Sequence, residues 1–269
     1  MRSKERPETM TAYETIRYEV ADGVATLTLN RPEQRNGMTT RMVGEAHEAL
    51  LAAATDTSLR VLVLTGAGDR AFCPGADLNW ATAADQEPYQ SQLEHYRVAV
   101  LLHELPALTI AAINGACAGA GLGWACGCDL RVAARGAVFN TAFLNVAVAG
   151  DMGLPWSLPR LVGAARAREL SFLAEKFSAE EAQRIGLVAR VWDDVDFRAE
   201  AQRLVGRLAA ASPTALRAMK AHYLAAEQLP FRDYVDLETE DHFRIAASAD
   251  TQEAFRAFLE KRQPVFGGR

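Results

Sequence analysis

The eleven residues INGACAGAGLG, from Ile113 to Gly123, lie between an apolar run at 108–113 and a helix-compatible run at 124–128. A strand that ends in a glycine-rich turn and continues as a helix directs free backbone N–H groups toward one point, where the helix end adds partial positive charge. Such a turn can hold an oxyanion, or it can serve only as a tight turn between closely packed backbones. A second small-residue turn, FCPGADL at 72–78, also follows an apolar run, 61–65, and favours a functional role for both turns.

Composition argues against several classes of protein. The 269 residues suffice for a substantial core, and 49% hydrophobic and 23% charged residues are ordinary for a globular protein. A net charge of −5 without a basic stripe argues against nucleic acid as the main partner. No apolar run approaches the roughly 20 residues of a membrane span, and the charged start MRSKERP does not resemble a secretory signal. We therefore expect a cytoplasmic protein, with residues 1–12 as a disordered leader.

The sequence gives no indication of a metal site. Its four cysteines, Cys73, Cys117, Cys126 and Cys128, lie in apolar or small-residue contexts, and no histidine lies near them at ligand spacing. We expect them to be buried free thiols in a reducing compartment.

The spacing of apolar residues predicts an α/β fold. Short β-rich runs at 16–20 and 24–29 are joined by a hairpin signal, and further strands are expected at 61–65, 108–113, 130–133 and 188–192. Helical spacing separates the earlier strands and dominates after residue 153, which is typical of parallel β-α units followed by helices. Helices are predicted at 39–54, 89–105, 164–174, 178–186, 196–210, 213–227, 231–247 and 251–262. The helix at 178–186 opens with a capping box at 178–181.

The glycine turns match no common nucleotide or serine-nucleophile motif. Gly119, Gly121 and Gly123 have G-x-G-x-G spacing, whereas a dinucleotide fold needs G-x-G-x-x-G after its first strand. Neither a phosphate-binding G-x-x-x-x-G-K-S/T nor a G-x-S-x-G elbow is present. The chemistry must therefore rest on backbone donors together with an acid or a base.

Six ordered blocks of the sequence resemble the enoyl-CoA hydratase/isomerase (crotonase) family. They are LNRP at 29–32, AFCPGADL at 71–78, AAING running on to CDL at 111–130, LPRLVG at 158–163, SAEEA running on to GLV at 178–188, and FLEKRQPVF at 258–266. The resemblance implies a spiral of β-β-α turns over residues 13–200 that binds acyl-CoA. It also implies a C-terminal helical trimerisation region at 201–269, assembly as a trimer or a dimer of trimers, and no metal or redox cofactor, with acyl-CoA as the substrate.

The resemblance also assigns roles to the two turns. The family's two oxyanion-hole donors correspond to the backbone N–H groups of Ala76 and Ala120. The two glutamates that hydratases of the family use correspond to Gly123 and Phe143. Neither residue can transfer a proton, which argues against hydration by the two-glutamate route.

One carboxylate stands at a functional position of the family. Asp151 matches the aspartate of some isomerases that resemble this chain, including dienoyl-CoA and ring-opening epoxyphenylacetyl-CoA isomerases. A single carboxylate is enough to move a double bond, because it takes a proton from one carbon and returns it to another. Apolar surroundings would raise its pKa. The alternative is a helix N-cap before residues 152–154. Asp129 is also acidic, but the resemblance to the family implies a structural role for it.

The remaining predicted binding residues surround these positions. The loop at 30–37 resembles the border of the adenine end of CoA, and Lys261 resembles a lysine that reaches the nucleotide. Phe143, Trp156 and Trp80 are expected either to line the acyl pocket or to be plain core. A lining Phe143 would favour a bulky or ring-bearing acyl group. The complete predicted binding set is Arg31, Arg35, Asp77, Leu78, Gly119, Phe143, Trp156 and Lys261; for Asp77 a structural role is also expected.

The sequence thus predicts an acyl-CoA-binding isomerase in which Ala76 and Ala120 stabilise a thioester enolate and Asp151 relays the proton. Two alternatives stay open. One is a hydratase whose water is positioned by Asp151 alone, and the other is a non-catalytic acyl-CoA binder.

Overall fold

The computed structural model describes residues 13–82 and 93–268, which form two β-sheets and the helices packed against them. The strands are β1 (Ile16–Ala21), β2 (Val24–Leu29), β3 (Val61–Gly66), β4 (Ala71–Cys73), β5 (Leu108–Ile113), β6 (Ala116–Ala118), β7 (Leu130–Ala134), β8 (Val138–Asn140), β9 (Phe177–Ser178) and β10 (Arg190–Trp192). The larger sheet has the order β1-β2-β3-β5-β7-β10, and the smaller has the order β4-β6-β8-β9. The pairs β1–β2 and β8–β9 are antiparallel, and the other neighbouring strands are parallel.

Helices connect the strands and then form the C-terminal part of the chain. They are α1 (Thr40–Thr55), α2 (Leu78–Ala81), α3 (Val98–Glu104), α4 (Gly119–Gly127), α5 (Leu154–Val162), α6 (Ala164–Leu173), α7 (Ala179–Arg184), α8 (Phe197–Ala209), α9 (Pro213–Ala226), α10 (Phe231–Ala246) and α11 (Ala249–Leu259). No helix in the described part of the chain is long and apolar enough to cross a membrane.

The central strands β3, β5 and β7 of the larger sheet are buried on both faces, as the continuous apolar run of β3 predicts, whereas the edge strands β1 and β10 are partly exposed. Leu62 and Leu64 of β3 face the main core, whereas Val61 and Val63 pack in a second cluster with Phe197 of α8. Alternate side chains of a strand point to opposite faces, so one strand contributes to both clusters. The central helix α4 lies in the main core with every residue buried.

The α/β class and the helical C-terminal part are confirmed. The expected glycine turn over 113–123 is wrong in part: residues 116–118 form β6, and Gly119, Gly121 and Gly123 belong to α4, which begins five residues before the helix-compatible run at 124–128. The small residues there allow the helix to pack closely against Cys73 and Met152.

The structure adds the smaller sheet, α2 and α5, which the apolar pattern did not indicate. The helix predicted at 89–105 extends partly outside the described residues. Within them, a 3-10 turn at 95–97 precedes α3.

The domain division stays a prediction. The leader at 1–12 lies outside the described residues, and α8 runs across the predicted boundary at 200–201 while packing on the larger sheet.

Candidate active site

The first small-residue turn leaves one backbone N–H group without an acceptor. The chain leaves β4 and turns at Gly75, whose φ of +100° favours glycine. Met38 N donates to Gly75 O at 2.8 Å, and Asp77 N donates to Met38 O at 2.8 Å. These two bonds fix the backbone on both sides of Ala76. Among the described residues, no acceptor pairs with the N–H of Ala76 itself.

An ion pair supports this turn. Asp77 caps α2 by accepting a hydrogen bond from Trp80 N at 3.2 Å, and its other carboxylate oxygen contacts Arg31 Nη2 at 2.9 Å. Arg31 Nη1 also donates to Gly37 O at 2.6 Å. Burial raises the pKa of Asp77, but the Trp80 hydrogen bond and the Arg31 guanidinium outweigh burial and keep this pKa below its ordinary value. Asp77 is therefore an ionised structural group, and the Arg31 guanidinium is engaged within the protein.

The second turn places another free N–H group beside the first. Gly119 begins α4 with a φ of +51°, and the N-cap residue Ala118 provides no side-chain acceptor. The N–H of Ala120, in the first turn of the helix, has no acceptor among the residues described. A Cβ at Gly75 would lie 3.5 Å from Ala120 N and 3.6 Å from Gly119 Cα. The two turns are thus in contact.

Phe143 borders this pair of turns. It begins a 3-10 helix that runs from Phe143 to Val146, and its ring packs against the main core. A Cβ at Gly119 would lie 3.9 Å from Phe143 Cε1. An aromatic ring, rather than a proton-transferring group, therefore lies next to the helix start.

Asp151 lies on a backbone segment of unusual conformation. Gly150, Met152 and Gly153 have φ values of +148°, +48° and +72°. For Met152 this left-handed conformation is strained, and such strain persists only where the surroundings hold it. The Asp151 carboxylate accepts one hydrogen bond, from Met152 N at 2.7 Å. Helix α5 begins at Leu154 with Gly153 as its N-cap, so the side chain of Asp151 is not the N-cap that the alternative interpretation required.

Asp151 is partly buried without a charged partner in the described part of the chain. Burial raises the pKa of Asp151 above its ordinary value, and the hydrogen bond from Met152 N opposes this shift only in part. The segment lies against α4: a Cβ at Gly123 would be 2.7 Å from Met152 Cβ and 3.2 Å from Asp151 O. Because positions 120 and 123 are neighbours on one helix face, the Asp151 segment lies beside the turn that carries the Ala120 N–H.

Comparisons with known proteins agree with this architecture. The sequence pattern of the family described as enoyl-CoA hydratase/isomerase matches residues 19–269. The chain belongs to the enoyl-CoA hydratase/isomerase family. It is 40% identical over 262 residues to the 1,2-epoxyphenylacetyl-CoA isomerase of Escherichia coli, covering 95% of this chain and 99% of that relative. It is 39% identical over 259 residues to a Rhodobacter capsulatus protein named "Probable enoyl-CoA hydratase", covering 96% and 100%.

Solved structures of the family show the same fold. The enoyl-CoA hydratase of Bacillus anthracis superposes with a TM-score of 0.89 at 30% identity, covering 95% of this chain and all of that one. The crotonase-type fold of β-β-α units with C-terminal helices is therefore confirmed.

The other predicted binding residues lie at the protein surface. Arg35 lines a small cavity of about 190 Å³ together with Glu33 and Arg70. Leu78 is exposed at the start of α2, and Lys261 is exposed just after α11. These positions are open to solvent, as CoA binding in an enzyme of this family would require, and their roles stay predictions.

Trp156 lies at the protein surface rather than in the core. Its side chain is exposed on α5, with the ring 5.3 Å from that of His103 and with the Arg160 guanidinium 3.8 Å above it. The core interpretation is wrong for this residue, and its role in lining the acyl pocket stays a prediction. Trp80 is half-buried beside the Asp77 cap.

The cysteines are buried free thiols, as predicted. Burial raises the pKa of Cys73 and Cys128 to about 12 and that of Cys126 to about 11, and it raises the pKa of Cys117 as well. These thiols are protonated at neutral pH and serve as core residues.

Two contacts in the site were not predicted from the sequence. The Arg31–Asp77 ion pair joins residues 46 positions apart in the chain. The contact between Gly123 and the Asp151 segment depends on how α4 packs against the loop before α5. Neither follows from local patterns.

Proposed function

We propose that this family member isomerises a carbon–carbon double bond of an enoyl-CoA, with Asp151 as the proton carrier. The observation that carries the proposal is the partly buried Asp151 carboxylate on a backbone segment that packs against α4 at Gly123. This carboxylate has one backbone donor and no charged partner in the part of the chain described. A titratable group with a shifted pKa next to free backbone donors is a typical arrangement for proton transfer.

The two free N–H groups supply electrostatic stabilisation in this mechanism. The thioester carbonyl oxygen accepts hydrogen bonds from the N–H groups of Ala76 and Ala120. When a base removes a proton from the acyl chain, the electron pair moves toward this oxygen, and the fixed donors stabilise the resulting enolate. A single donor of this kind lowers a barrier by roughly 3 kcal/mol.

Asp151 acts twice in the proposed cycle. As a carboxylate it removes a proton from one carbon of the acyl chain, and as a carboxylic acid it returns that proton to another carbon. The double bond moves, and no atom is gained or lost. The raised pKa brings the carboxyl group closer to the acidity that suits both roles near neutral pH.

The aromatic border supports a bulky or ring-bearing acyl group as substrate. The Phe143 ring lies beside Gly119, where the acyl chain would pass the oxyanion hole. A relative at 40% identity is named for a substrate with a phenyl ring. We place the CoA nucleotide near Arg35 and Lys261, and we propose a trimer or dimer of trimers in the cytoplasm from the family resemblance.

Hydration is the second candidate. It is favoured by the names of relatives, among them the Rhodobacter capsulatus protein at 39% identity and a crotonyl-CoA hydratase of Syntrophomonas wolfei at 31% identity. In this case Asp151 alone would position and deprotonate a water molecule. A non-catalytic acyl-CoA binder is the remaining alternative.

A product analysis separates these candidates. The purified protein is incubated with linear and ring-bearing 2-enoyl-CoA and 3-enoyl-CoA thioesters, and the products are followed by mass spectrometry and ultraviolet absorbance. We expect a change in absorbance without a change in mass. A gain of one water would contradict isomerisation and support hydration, and tight binding without any product would support the binder. Turnover of linear substrates but not of ring-bearing ones would contradict the proposed acyl class.

A further inference from the structure

Helix α4 approaches the Asp151 segment so closely that no side chain fits between them. A Cβ at Gly123 would lie 2.7 Å from Met152 Cβ, 3.0 Å from Met152 O and 3.2 Å from Asp151 O. Non-bonded carbon atoms are optimally separated by roughly 3.5–4.0 Å. A methyl group at this position would therefore displace the segment, or the helix, by about 1 Å.

The segment has little freedom to absorb such a displacement. The Met152 side chain is buried, and the strained φ of this residue is held by its surroundings. On the other side, a Cβ at Gly150 would lie 2.5 Å from Pro155 Cγ, and Leu154 N donates to Asp151 O at 3.0 Å. The segment is thus confined between α4 and the start of α5.

We propose that Gly123 is a positioning residue: the missing Cβ lets the Asp151–Met152 backbone lie directly on α4 and so sets the carboxylate relative to the oxyanion-hole donor on the same helix. This inference rests on the proposed function. Gly123 touches no substrate in this account and acts only through Asp151.

The test variant is Gly123→Ala. Because every residue of α4 is buried in the core, the Asp151 segment rather than the helix takes up the displacement. The N–H of Ala120 then keeps its place, and thioester binding is retained. The proton carrier moves relative to the bound acyl chain, and a displacement of 1 Å lowers kcat by about 100-fold. We expect KM and the affinity for a saturated acyl-CoA to change by less than about threefold, because ground-state binding is unaffected.

A matched control lies one turn further along α4. Gly127 is also a helical glycine in a tight contact, in which a Cβ would lie 3.1 Å from Ala99 O, but this contact is with α3. Gly127→Ala makes the same chemical change in the same helix, at its last residue. We expect it to keep kcat within about threefold of the wild type. An equal loss of kcat in both variants would overturn the proposal, because the effect would then belong to the helix as a whole.

A second-site change tests the contact directly. Met152→Gly removes the Cβ atom that a methyl group at position 123 would meet, and glycine is at ease with the left-handed φ of this residue. We expect the double variant Gly123→Ala/Met152→Gly to recover at least about tenfold in kcat over Gly123→Ala. Met152→Gly alone, which carries the same loss of a buried side chain, is the reference for stability. Should Gly123→Ala fail to fold, the double variant must fold wherever Met152→Gly folds, and a double variant that fails where Met152→Gly folds overturns the proposal.

A readout that does not depend on turnover separates this inference from the proposed function. The titration of the Asp151 carboxyl carbon is followed by NMR with 13C-labelled aspartate, and Asp151→Asn identifies the signal. We expect Gly123→Ala to change this titration and Gly127→Ala to leave it unchanged. If the wild type does not isomerise enoyl-CoA, the proposed function fails, while a changed titration still supports the positioning contact. An unchanged titration in Gly123→Ala overturns the inference whatever the activity.

Discussion

The two ends of helix α4 differ in whether their polar groups have hydrogen-bond or ionic partners within the protein. At the C-terminal end, Asp129 Oδ2 accepts hydrogen bonds from Thr109 N at 2.7 Å and from Thr109 Oγ1 at 2.9 Å, and it contacts Lys220 Nζ at 2.8 Å. Arg131 donates to Cys128 O at 2.6 Å and to Leu187 O at 2.7 Å. The side chains of Asp129 and Arg131 thus find partners within the protein, although the buried Nε1 of Trp124, further back on α4, has none among the described residues.

At the N-terminal end, the corresponding groups are left available. The N–H groups of Ala76 and Ala120 have no acceptor, and Asp151 has a single backbone donor, within the residues that the structure describes. Of these residues Ala120 is buried, Ala76 is exposed and Asp151 is partly buried, so a ligand that enters from solvent could reach this end of the helix. A buried N–H group without an acceptor is unusual in a folded protein and favours a binding or catalytic role. The comparison separates two similar aspartates: we assign Asp129 to stability and Asp151 to chemistry.

The largest expected effect comes from neutralising each aspartate in turn. Asp151→Asn keeps the shape of the side chain but cannot accept a proton, so we expect kcat for isomerisation to fall by about 1,000-fold. Asp129→Asn is the matched control and should retain kcat near the wild-type value at temperatures where it stays folded. Steady-state kinetics on the best enoyl-CoA substrate measures both. If kcat falls equally in the two variants, the assignment of Asp151 to chemistry and Asp129 to stability is wrong.

The next effect concerns stability at the C-terminal end. Lys220→Met removes a cation that is 3% exposed and leaves Asp129, which is 22% exposed, without it. Breaking a fully buried pair costs roughly 3–5 kcal/mol, and the partial exposure of Asp129 lowers our expectation to about 2 kcal/mol. Urea unfolding measures this loss, and kcat should be unchanged. A large loss of kcat with normal stability would contradict the division of roles.

The Arg31–Asp77 pair connects stability with the oxyanion hole. Asp77→Ala removes both the cap of α2 and the partner of Arg31, so the turn that carries the Ala76 N–H loosens. Complete loss of one donor costs 100-fold or more, and we expect a partial loss, about tenfold in kcat. Asp193→Ala, which breaks the exposed pair between Asp193 and Arg135, serves as the control and should change kcat little. An unaffected Asp77→Ala enzyme would show that the pair does not support the turn.

The smallest effect is a pH dependence of stability. Burial raises the pKa of Asp151 in the folded protein above its unfolded value. The folded state therefore binds this proton more readily, and the stability contributed by Asp151 is complete below the unfolded pKa and is lost as the pH rises through the folded pKa. Relative to the wild type, Asp151→Asn should gain stability over this pH range. Urea unfolding of both proteins at a series of pH values tests the sign. If Asp151→Asn loses stability relative to the wild type as the pH rises, the prediction is wrong.

The same shift predicts the acidic limb of the activity profile. Asp151 must be ionised to act as a base, so kcat/KM, which reports the free enzyme, should fall as the pH drops through its raised pKa. A limb at the ordinary value for aspartate would show that burial does not tune this group.

Much of the fold could be predicted from the sequence because its main elements are long enough to show a period. The buried run of β3 and the helical spacing of α1 lie where the pattern indicated. The smaller sheet could not be predicted, since its strands have only two or three residues, too few for an alternation to appear. The extended chain there is stabilised by its neighbours rather than by its own composition.

The candidate site also has parts that the sequence predicts and parts that it does not. The two turns could be recognised from their glycines, and Asp151 from its match to an aspartate that some isomerases of the family use. The partners that decide each role lie far away in the chain: Lys220 is 91 positions from Asp129, and Gly123 meets Met152 across a helix packing contact. Distances of this kind are set by tertiary packing, which no local pattern encodes.

Solvent exchange tests the central assignment most directly. Wild type, Asp151→Asn and Asp129→Asn are each incubated in D2O with an enoyl-CoA, and deuterium entering the acyl carbons is followed by NMR and mass spectrometry. Asp151 is only partly buried, so its carboxyl group exchanges the carried proton with D2O in a fraction of the turnovers. We therefore expect deuterium uptake in the wild type and in Asp129→Asn, and its loss in Asp151→Asn, because only Asp151 carries the transferred proton. Undiminished uptake in Asp151→Asn would contradict the account.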